Sequence, residues 1–484
     1  MILLLLLLIP LVTGLCLLPV KNAKTVRTIA FVASIANFLI TLFLVFGTST
    51  ESYSVLWINS MGITFSLSYD GISLIMILLT NLLFPFIILA GLNRNQNQVS
   101  LLYFLILFTQ LALNGVFLAQ NGFLFYIFWE LALIPVYFIL LLWGGEERRT
   151  ITLKFFIYTL TGSLFLLFGI IFLYQLTPGI HTTDFAVFNQ LVIPEQTQIW
   201  LFWILFIAFA IKMPIFPFHT WQPKTYTMAS TQGVMILAGV MTKMGIYGAL
   251  RFLFPIVPAG LLFWQNTVII LCLIGVIYAS TIAFRQKNLK KLIAFSSMAH
   301  ISLMAAALFA VNFYATQGLI FQVITHGVIV VALFYLVTIV EDRTSTLELS
   351  KMGGLKLLTP NLSIVMLIVF LGSIALPLTG GFVGEFLMIT GLFHVSIWFA
   401  IFGGTAMILS AIYMLYAYQR IMLGDKNSAF QNITDIRTFD YFYLIPLIAI
   451  ILALGIYPQP VLDIIGTSVK LLQPLADGVS ALVH

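Results

Sequence analysis

Seven ionisable side chains interrupt long apolar segments of this 484-residue sequence, at positions that would lie at the depth of a lipid bilayer. They are Glu130, Lys212, His219, Lys243, His300, His326 and Glu385. A charge at the bilayer centre costs about 2.5–3.5 kcal/mol on insertion scales, so such residues are rarely kept for structure alone. Burial disfavours the charged forms of lysine and glutamate, and an opposite charge nearby restores them. The chemistry that these residue types favour is therefore switchable proton transfer, with the histidines as relays.

Glu130 and Lys212 carry opposite charges in the middle of their segments and are predicted to form a switch pair, with Lys243 as the next station. A static buried ion pair is the alternative for Glu130 and Lys212. The alternatives for the histidines are also structural. A hydrogen bond to a carbonyl freed by a helix break, or a donor role between helices, would account for His219, His300 and His326.

The composition requires lipid as the solvent. Hydrophobic residues make up 61% of the chain and charged residues 8%, whereas soluble domains average about 25% charged residues. The net charge of +6 is spread over short loops, which excludes a nucleic-acid-binding face. Cys16 and Cys272 lie in apolar runs without metal-binding spacing. No nucleotide-binding or haem-attachment motif is present, so we expect no cofactor in this chain.

Apolar runs long enough for a bilayer follow one another along the whole chain. The first of them lacks a basic start and a small-residue cleavage site, so we expect a membrane helix there and not a signal peptide. Fourteen spans are predicted: 1–18, 26–48, 71–91, 99–119, 121–143, 152–175, 198–230, 233–253, 261–284, 290–311, 316–340, 361–392, 396–422 and 441–460.

The basic residues set the predicted orientation, because lysine and arginine stay on the cytoplasmic side of a membrane. Of the 22 basic residues, 17 fall in alternate loops: Lys21, Lys24, Arg27, Arg94, Arg148, Arg149, Lys154, Arg285, Lys287, Lys290, Lys291, Arg343, Lys351, Lys356, Arg420, Lys426 and Arg437. The opposite side holds Arg251 and Lys470. Both termini are therefore predicted on the outer face. Asp70, at the outer start of the third span, is interpreted as a helix cap.

Two of the predicted spans are interrupted. The seventh contains Pro214 and Pro217, and the twelfth contains Pro377 and Gly380. Freed backbone groups survive in a membrane only where protein buries them or where they line a wet cavity, and such breaks often mark transport sites built from inverted repeats. We therefore predict an all-α membrane protein of about 14 transmembrane helices. The single domain 1–484 divides into helices 1–3 (1–98), two inverted five-helix repeats (99–254 and 261–422), and a last helix with a short tail (423–484).

Five motifs in chain order resemble the antiporter-like membrane subunits of respiratory complex I, the NADH:quinone oxidoreductase. They are FWELALIP at 128–135, KFFIYT at 154–159, KMPIFPFHTW at 212–221, KKLIAFSSMAH at 290–300 and GFVGE at 381–385. The resemblance covers nearly the whole chain. It is greatest to the M-type subunits, the bacterial counterpart of mitochondrial subunit 4, because Glu385 stands where sister subunits place a lysine.

The resemblance implies a proton path through six residues: Glu130, Lys212, Lys243, His300, His326 and Glu385. Candidate relay or hinge positions are His219, Pro214, Pro217, Lys224, Pro377 and Gly380. Lys224 departs from the family, which usually reads Leu-Pro-Asp-Ala-His where this chain has Gln222 to Tyr226. The sequence therefore does not specify the hydration or the hinge geometry beside the first break.

The resemblance also implies the setting. NADH, FMN, iron–sulfur clusters and quinone would be held by partner subunits, and the neighbours would be the antiporter-like subunits L and N, with lipid around them. The expected location is a bacterial cytoplasmic membrane in preference to an organellar inner membrane. The predicted function is proton translocation, as a non-redox subunit of the oxidoreductase. The alternative is a subunit of a multisubunit cation/proton antiporter with no redox enzyme attached.

Overall fold

The computed structural model describes residues 1–47, 51–92, 94, 96–425, 430 and 433–480, with only the backbone described for 471–480. Within that part of the chain, 11 helices are long and apolar enough to cross a membrane, and three further apolar helices are shorter. The predicted helical membrane fold is confirmed, while the count of fourteen spans stays a prediction.

Most helices fall within a few residues of the predicted spans. In chain order they are α1 Ile2–Leu17, α2 Ala23–Phe46, α3 Gly71–Leu89, α4 Val99–Leu118, α5 Gly122–Leu131, α6 Leu133–Trp143, α7 Arg148–Leu176, α8 Phe185–Phe188, α9 Glu195–Lys212, α10 Gln222–Met228, α11 Thr231–Ile236, α12 Lys243–Ile256, α13 Pro258–Arg285, α14 Leu289–Phe309, α15 Phe313–Thr344, α16 Leu355–Leu358, α17 Pro360–Ser373, α18 Gly380–Val395, α19 Ile397–Met422, α20 Thr438–Ile456 and α21 Gln459–Ser480.

A β-hairpin that was not predicted lies between α2 and α3. Its strands β1 (Ser52–Ile58) and β2 (Ile63–Ser68) pair antiparallel. The chain reverses through Gly62, whose φ of +59° is a conformation that glycine adopts without strain. The hairpin packs at the ends of α4 and α5, where the backbone N–H of Gln120 donates to the carbonyl of Ser66 (3.1 Å). The all-α prediction thus holds for the membrane helices but missed this hairpin.

Both predicted helix breaks are present. The seventh span ends as α9 at Lys212 and resumes as α10 at Gln222, and the twelfth separates into α17 and α18 around residues 374–379. Two further irregularities were not predicted. The fifth span divides into α5 and α6 at Ala132, because Pro135 cannot donate to the carbonyl four residues earlier. The eighth contains a π-helical turn, Leu237–Met241, between α11 and α12.

The first helix is an integral part of the bundle. Pro10 has no amide hydrogen, so the carbonyl of Leu6 loses its helical partner. The amide side chains of Asn37 in α2 and Asn114 in α4 donate to that carbonyl at 3.1 and 3.2 Å. Asn81 of α3 joins the same buried cluster through Asn114. Polar groups in the membrane core thereby attach the N-terminal helices to α4.

The short tail predicted after the last span contains a helix that the sequence analysis did not identify. Residues 459–480 form the helix α21, which packs on α3, α12 and α15. Its polar and apolar residues separate onto opposite faces, as expected of a helix that lies along a membrane surface and does not cross it. No apolar run of spanning length marks this segment, which is why a search for membrane spans passed over it.

Basic loop residues from distant parts of the sequence meet at one end of the bundle. Arg94 pairs with Asp342 (2.8 Å), and Arg343 pairs with Asp440 (3.0 Å). Both arginines line a cavity of about 750 Å³. This arrangement agrees with the predicted sharing of one face by these loops, although it does not show which side is cytoplasmic. Lys426, another of those basic residues, lies outside the described part of the chain.

Candidate functional site

Lys243 lies near the middle of the interrupted eighth span, immediately after the π-helical turn. A π-turn displaces the helical hydrogen-bond register and exposes a carbonyl, and the Nζ of Lys243 donates to the carbonyl of Ala238 within that turn. The side chain is fully buried. The turn therefore provides part of the solvation that a buried ammonium needs.

His326 of α15 is the next group along. Its Nδ1 lies 2.9 Å from the Nζ of Lys243, and its Nε2 lies 3.3 Å from the hydroxyl of Ser297 in α14. Both ring nitrogens are therefore engaged, one by a proton-exchanging group and one by a hydroxyl. An imidazole held in this way can accept a proton on one nitrogen and release one from the other.

His300 and Glu385 form the far end of the group. The Nδ1 of His300 in α14 lies 2.8 Å from Oε1 of Glu385 in α18, and Gln322 donates to the same oxygen at 3.4 Å. Glu385 is only 1% exposed. Its Oε2 and the Nε2 of His300 have no hydrogen-bond partner among the described residues. Two orphaned polar atoms at this depth mark a place where water would be stabilised.

Four of the six predicted path residues thus lie in one buried line, in the order Lys243, His326, His300, Glu385. The two histidine rings are 6.0 Å apart between centroids. That gap exceeds hydrogen-bond length, so a proton would cross it through a bridging water or by ring rotation. The sequence identified the members of this line but not the order of the histidines, which is the reverse of their order in the chain.

Glu130 and Lys212 lie apart from that line. Their charges are close enough to interact, yet they are not among the ion pairs within 4.0 Å in the described part of the chain. The Nζ of Lys212 lies 5.1 Å from the centroid of the Trp129 ring. In this arrangement the ammonium of Lys212 faces the Trp129 ring and is not in contact with a carboxylate. The static ion pair considered as the alternative is therefore not formed here.

The first helix break is closed by a residue that the sequence analysis left without a role. The indole Nε1 of Trp221 donates to the carbonyl of Ile211 at 2.9 Å, which satisfies a backbone group beside Lys212. His219, considered for such a bond, instead stacks on Phe216 and meets the ring of Tyr278 edge to face. Its Nδ1 has no partner among the described residues. Pro214 is buried at this break, and Pro217 is exposed.

The side chain of Lys224 in α10 is exposed and does not point into the buried line. At the second break, Pro377 is also exposed, while Gly380 is buried at the start of α18. A Cβ on Gly380 would lie 2.6 Å from the methyl group of Thr325 in α15. Gly380 therefore permits the close approach of α18 to α15 that brings Glu385 to His300.

Three further polar groups beside Lys243 were missed by the sequence analysis. Gln222 and Tyr226 of α10 interact with each other, and Tyr226 also interacts with Thr242. Each carries a buried polar atom without a partner in the hydrogen-bond network of the described residues. The motif of α10 offered a signal, since Gln222 and Tyr226 are four residues apart and share a helix face. Thr242 offered no such signal in the sequence, because the π-turn changes the direction in which its side chain points.

The arginine-lined cavity reaches the other end of the same helices. Thr231 of α11 and Thr338 of α15 line it, and their hydroxyls are 2.8 Å apart. Thr231 lies twelve residues before Lys243, and Thr338 lies twelve residues after His326. Each separation is about 18 Å along a helix at 1.5 Å per residue. The helix pair that holds the buried line therefore opens at one end into a polar cavity.

Comparison with known proteins agrees with this geometry. Residues 119–412 match the family model described as "NADH:quinone oxidoreductase/Mrp antiporter, TM". The chain belongs to this family. The matched region contains all six predicted path residues. No group of three or more histidine, cysteine or acidic side chains placed to hold a metal ion occurs among the described residues.

Relatives within the family cover almost the entire chain. The NADH-quinone oxidoreductase subunit M of Rickettsia conorii is 36% identical over 454 residues, which is 92% of each chain. A chain of respiratory complex I from Thermus thermophilus has a TM-score of 0.88 at 27% identity, covering 98% of this chain and 100% of that one. A chain of the Mrp complex from Dietzia sp. DQ12-45-1b has a TM-score of 0.87 at 19% identity, covering 100% and 99%, and shows the same fold. The predicted resemblance to complex I subunits is confirmed.

Proposed function

We propose that this chain moves protons across the membrane as the M-type subunit of an NADH:quinone oxidoreductase. The observation that carries the proposal is the buried line Lys243–His326–His300–Glu385, with contacts of 2.9 and 2.8 Å at its two ends. A structural role would not account for four ionisable groups gathered at bilayer depth. The subunit M relative and the complex I structure support this enzyme as the setting.

The proposed route starts at the arginine-lined cavity and reaches Lys243 past Tyr226 and Thr242. Their unpartnered hydroxyls would hold water that carries the proton. From Lys243 the proton passes to Nδ1 of His326, crosses between the rings to His300, and reaches Glu385. Each step joins groups that exchange protons readily when burial and a neighbouring charge balance each other.

Glu130 and Lys212 act in this proposal as the switch. Lys212 ends α9 directly beside the first break, so a change at the break would move its ammonium between the face of Trp129 and the carboxylate of Glu130. Moving the positive charge changes the electrostatic potential at Lys243, the next cation in the same repeat. Pro214, Pro217, Pro377 and Gly380 are the proposed hinges, with 99–254 and 261–422 as the two inverted repeats. His219 is a candidate relay by position, whereas Lys224, whose side chain is exposed, lies outside the proposed route.

The chain takes no part in electron transfer in this proposal. NADH, FMN, the iron–sulfur clusters and quinone are assigned to partner subunits. The driving force reaches this chain as a displacement of charge and protein groups, and its own residues hold and pass protons.

The neighbours are proposed to be antiporter-like subunits of the L and N types, with lipid around the rest. At the second break Leu376, Pro377 and Leu378 are exposed, the last by 67%. Lipid does not satisfy the backbone of such a break, so another protein surface is the better cover for it. The proposed membrane is the bacterial cytoplasmic membrane, with the arginine-lined cavity on the cytoplasmic side and both termini outside.

A pull-down tests the setting. The chain is tagged in its host, purified in mild detergent and reconstituted into liposomes. We expect flavin and iron–sulfur subunits to copurify, with NADH-dependent quinone reduction and internal acidification that an uncoupler collapses. Copurification of small antiporter subunits alone, with sodium-driven acidification and no NADH oxidation, would instead support the multisubunit antiporter, which the Mrp-like fold favours as second candidate.

A further inference from the structure

One face of α12 carries polar groups from Lys243 toward the end of the bundle opposite the arginine-lined cavity. Lys243, Tyr247 and Arg251 are four residues apart and therefore stack along one side of the helix. The proposed route uses only Lys243. The other two residues lie between it and the end of the molecule where α3 begins.

A compact cluster joins these residues to α3. Arg251 donates to Asp70 at 2.6 Å and to the hydroxyl of Ser73 at 2.8 Å. The hydroxyl of Tyr247 lies 2.9 Å from that of Ser73 and donates to the carbonyl of Phe117 at 3.0 Å. The guanidinium of Arg251 also lies 5.0 Å from the centre of the Tyr247 ring. The Nη2 group of Arg251 and the hydroxyl of Tyr247 are therefore both engaged by partners at this end of α12.

The tail helix lies over the cluster. The backbone amide of Gly71, next to Asp70, donates to the hydroxyl of Ser468 in α21 at 2.9 Å. A side chain on Gly71 would collide with the carbonyl of Ile464, so α21 sits directly on the start of α3. The tail helix thus covers part of the cluster, in which the Asp70 side chain is 38% exposed and the Arg251 side chain 20% exposed.

The charges of the cluster are fixed at neutral pH. A guanidinium does not deprotonate in proteins. Burial by itself raises the pKa of Asp70, but the charge of Arg251 and hydrogen bonds from Arg251 and Ser73 hold it below its ordinary value. Asp70 therefore stays ionised and keeps Arg251 in position. A fixed positive charge across a narrow polar passage raises the barrier for any other cation, including a hydrated proton.

We propose that Asp70, Ser73, Tyr247 and Arg251 form the outer gate of this subunit, in which Arg251 is an electrostatic barrier to protons returning to Lys243 from the outer face. Asp70 and Ser73 position the guanidinium, and α21 covers part of the cluster. This inference rests on the proposed function, because a barrier has a purpose only if Lys243 holds protons in transit.

The test is passive proton flux through the assembled oxidoreductase in liposomes, without NADH, under a potassium diffusion potential and with an internal pH dye. We expect Arg251→Gln to raise the flux about tenfold, because it removes a unit charge from a partly buried position. Arg251→Lys, which keeps the charge, should stay near the parent value. Glu348→Gln, which breaks an exposed ion pair with Lys351 outside the proposed route, is the control.

Three outcomes would overturn the gate, and the first two concern Arg251 alone. One is a parent-like flux in Arg251→Gln enzyme that is fully assembled. The other is an equal leak from Arg251→Gln and Arg251→Lys, which would indicate damage to packing and not loss of a charge. The added leak must also disappear when Lys243→Met is combined with Arg251→Gln, and a leak that persists would mean that the flux bypasses Lys243. Failure of the proposed function is seen separately, as full proton-to-electron stoichiometry in Lys243→Met alone.

Discussion

Replacement of Glu385 by glutamine changes charge at the end of the buried line with little change in shape. The glutamine oxygen can still accept from His300 Nδ1, at the 2.8 Å position of the carboxylate. What is lost is the charge that stabilises a protonated imidazole. Hydrogen bonds to charged groups contribute about 1.5–3 kcal/mol, and neutral ones about 1 kcal/mol. A difference of roughly 1.4 kcal/mol corresponds to a tenfold shift in equilibrium.

We therefore expect the contact between His300 and residue 385 to weaken about tenfold. Coupled NADH:quinone turnover in proteoliposomes should slow by a similar factor, and an uncoupler should not restore it because the block lies within the pathway. Gln322→Leu removes the 3.4 Å bond to Glu385 and the 2.8 Å bond that its Oε1 accepts from Thr325. It should cost less than about threefold, since a bond of 3.4 Å is weak and Thr325 also donates to a backbone carbonyl. Gln317→Leu alters the same helix outside the line and is the matched control.

Parent-like turnover and proton pumping in Glu385→Gln enzyme would refute this reasoning. So would a Gln322→Leu enzyme as impaired as Glu385→Gln, since the 2.8 Å contact would then have no special weight.

Three further predictions concern groups outside the line. Trp129→Leu removes the aromatic face beside Lys212 and should lower pumping several-fold, because a desolvated cation–π contact contributes about 2 kcal/mol; Trp129→Phe should retain most activity in the same acidification assay. Asn114→Leu removes one hydrogen bond to the Leu6 carbonyl and two to Asn81, and should lower the free energy of unfolding by roughly 2 kcal/mol, at about 0.6 kcal/mol for each bond between membrane helices. Adding Pro10→Ala should recover part of that loss, because it restores the backbone N–H that donates to the carbonyl of Leu6. Lys224→Ala should leave pumping unchanged, because its side chain is exposed.

Each of these has a clear contrary result. Equal loss in Trp129→Leu and Trp129→Phe would indicate packing and not a cation–π contact. If the stability changes caused by Asn114→Leu and Pro10→Ala simply added, the two substitutions would not act through the same Leu6 carbonyl. A pumping defect in Lys224→Ala would place that residue in the pathway after all.

The membrane helices were predictable from the sequence because hydrophobic length and the distribution of basic residues respond to one strong constraint, the bilayer. The two breaks were predictable because proline removes a backbone donor. The tail helix α21 and the hairpin were not, since neither forms an apolar run of spanning length. The π-turn before Lys243 leaves no mark in composition, although it determines where that ammonium points.

The candidate site was predictable in its members and not in its connections. Intramembrane charge alone singled out Lys243, His326, His300 and Glu385. Their order depends on how α14, α15 and α18 pack, which periodicity within one helix does not specify. Gln322 was within reach of sequence reasoning, because it lies four residues before His326 on the same face of α15.

The most direct test of the proton line is the proton-to-electron ratio of the assembled oxidoreductase carrying Lys243→Met. The methionine keeps most of the side-chain volume but cannot hold a proton or donate to Ala238 and His326. We predict that internal acidification per NADH oxidised falls, or that turnover stops together with pumping, in enzyme that still contains all its subunits. An unchanged ratio at unchanged turnover would contradict the assignment of Lys243 to the proton path.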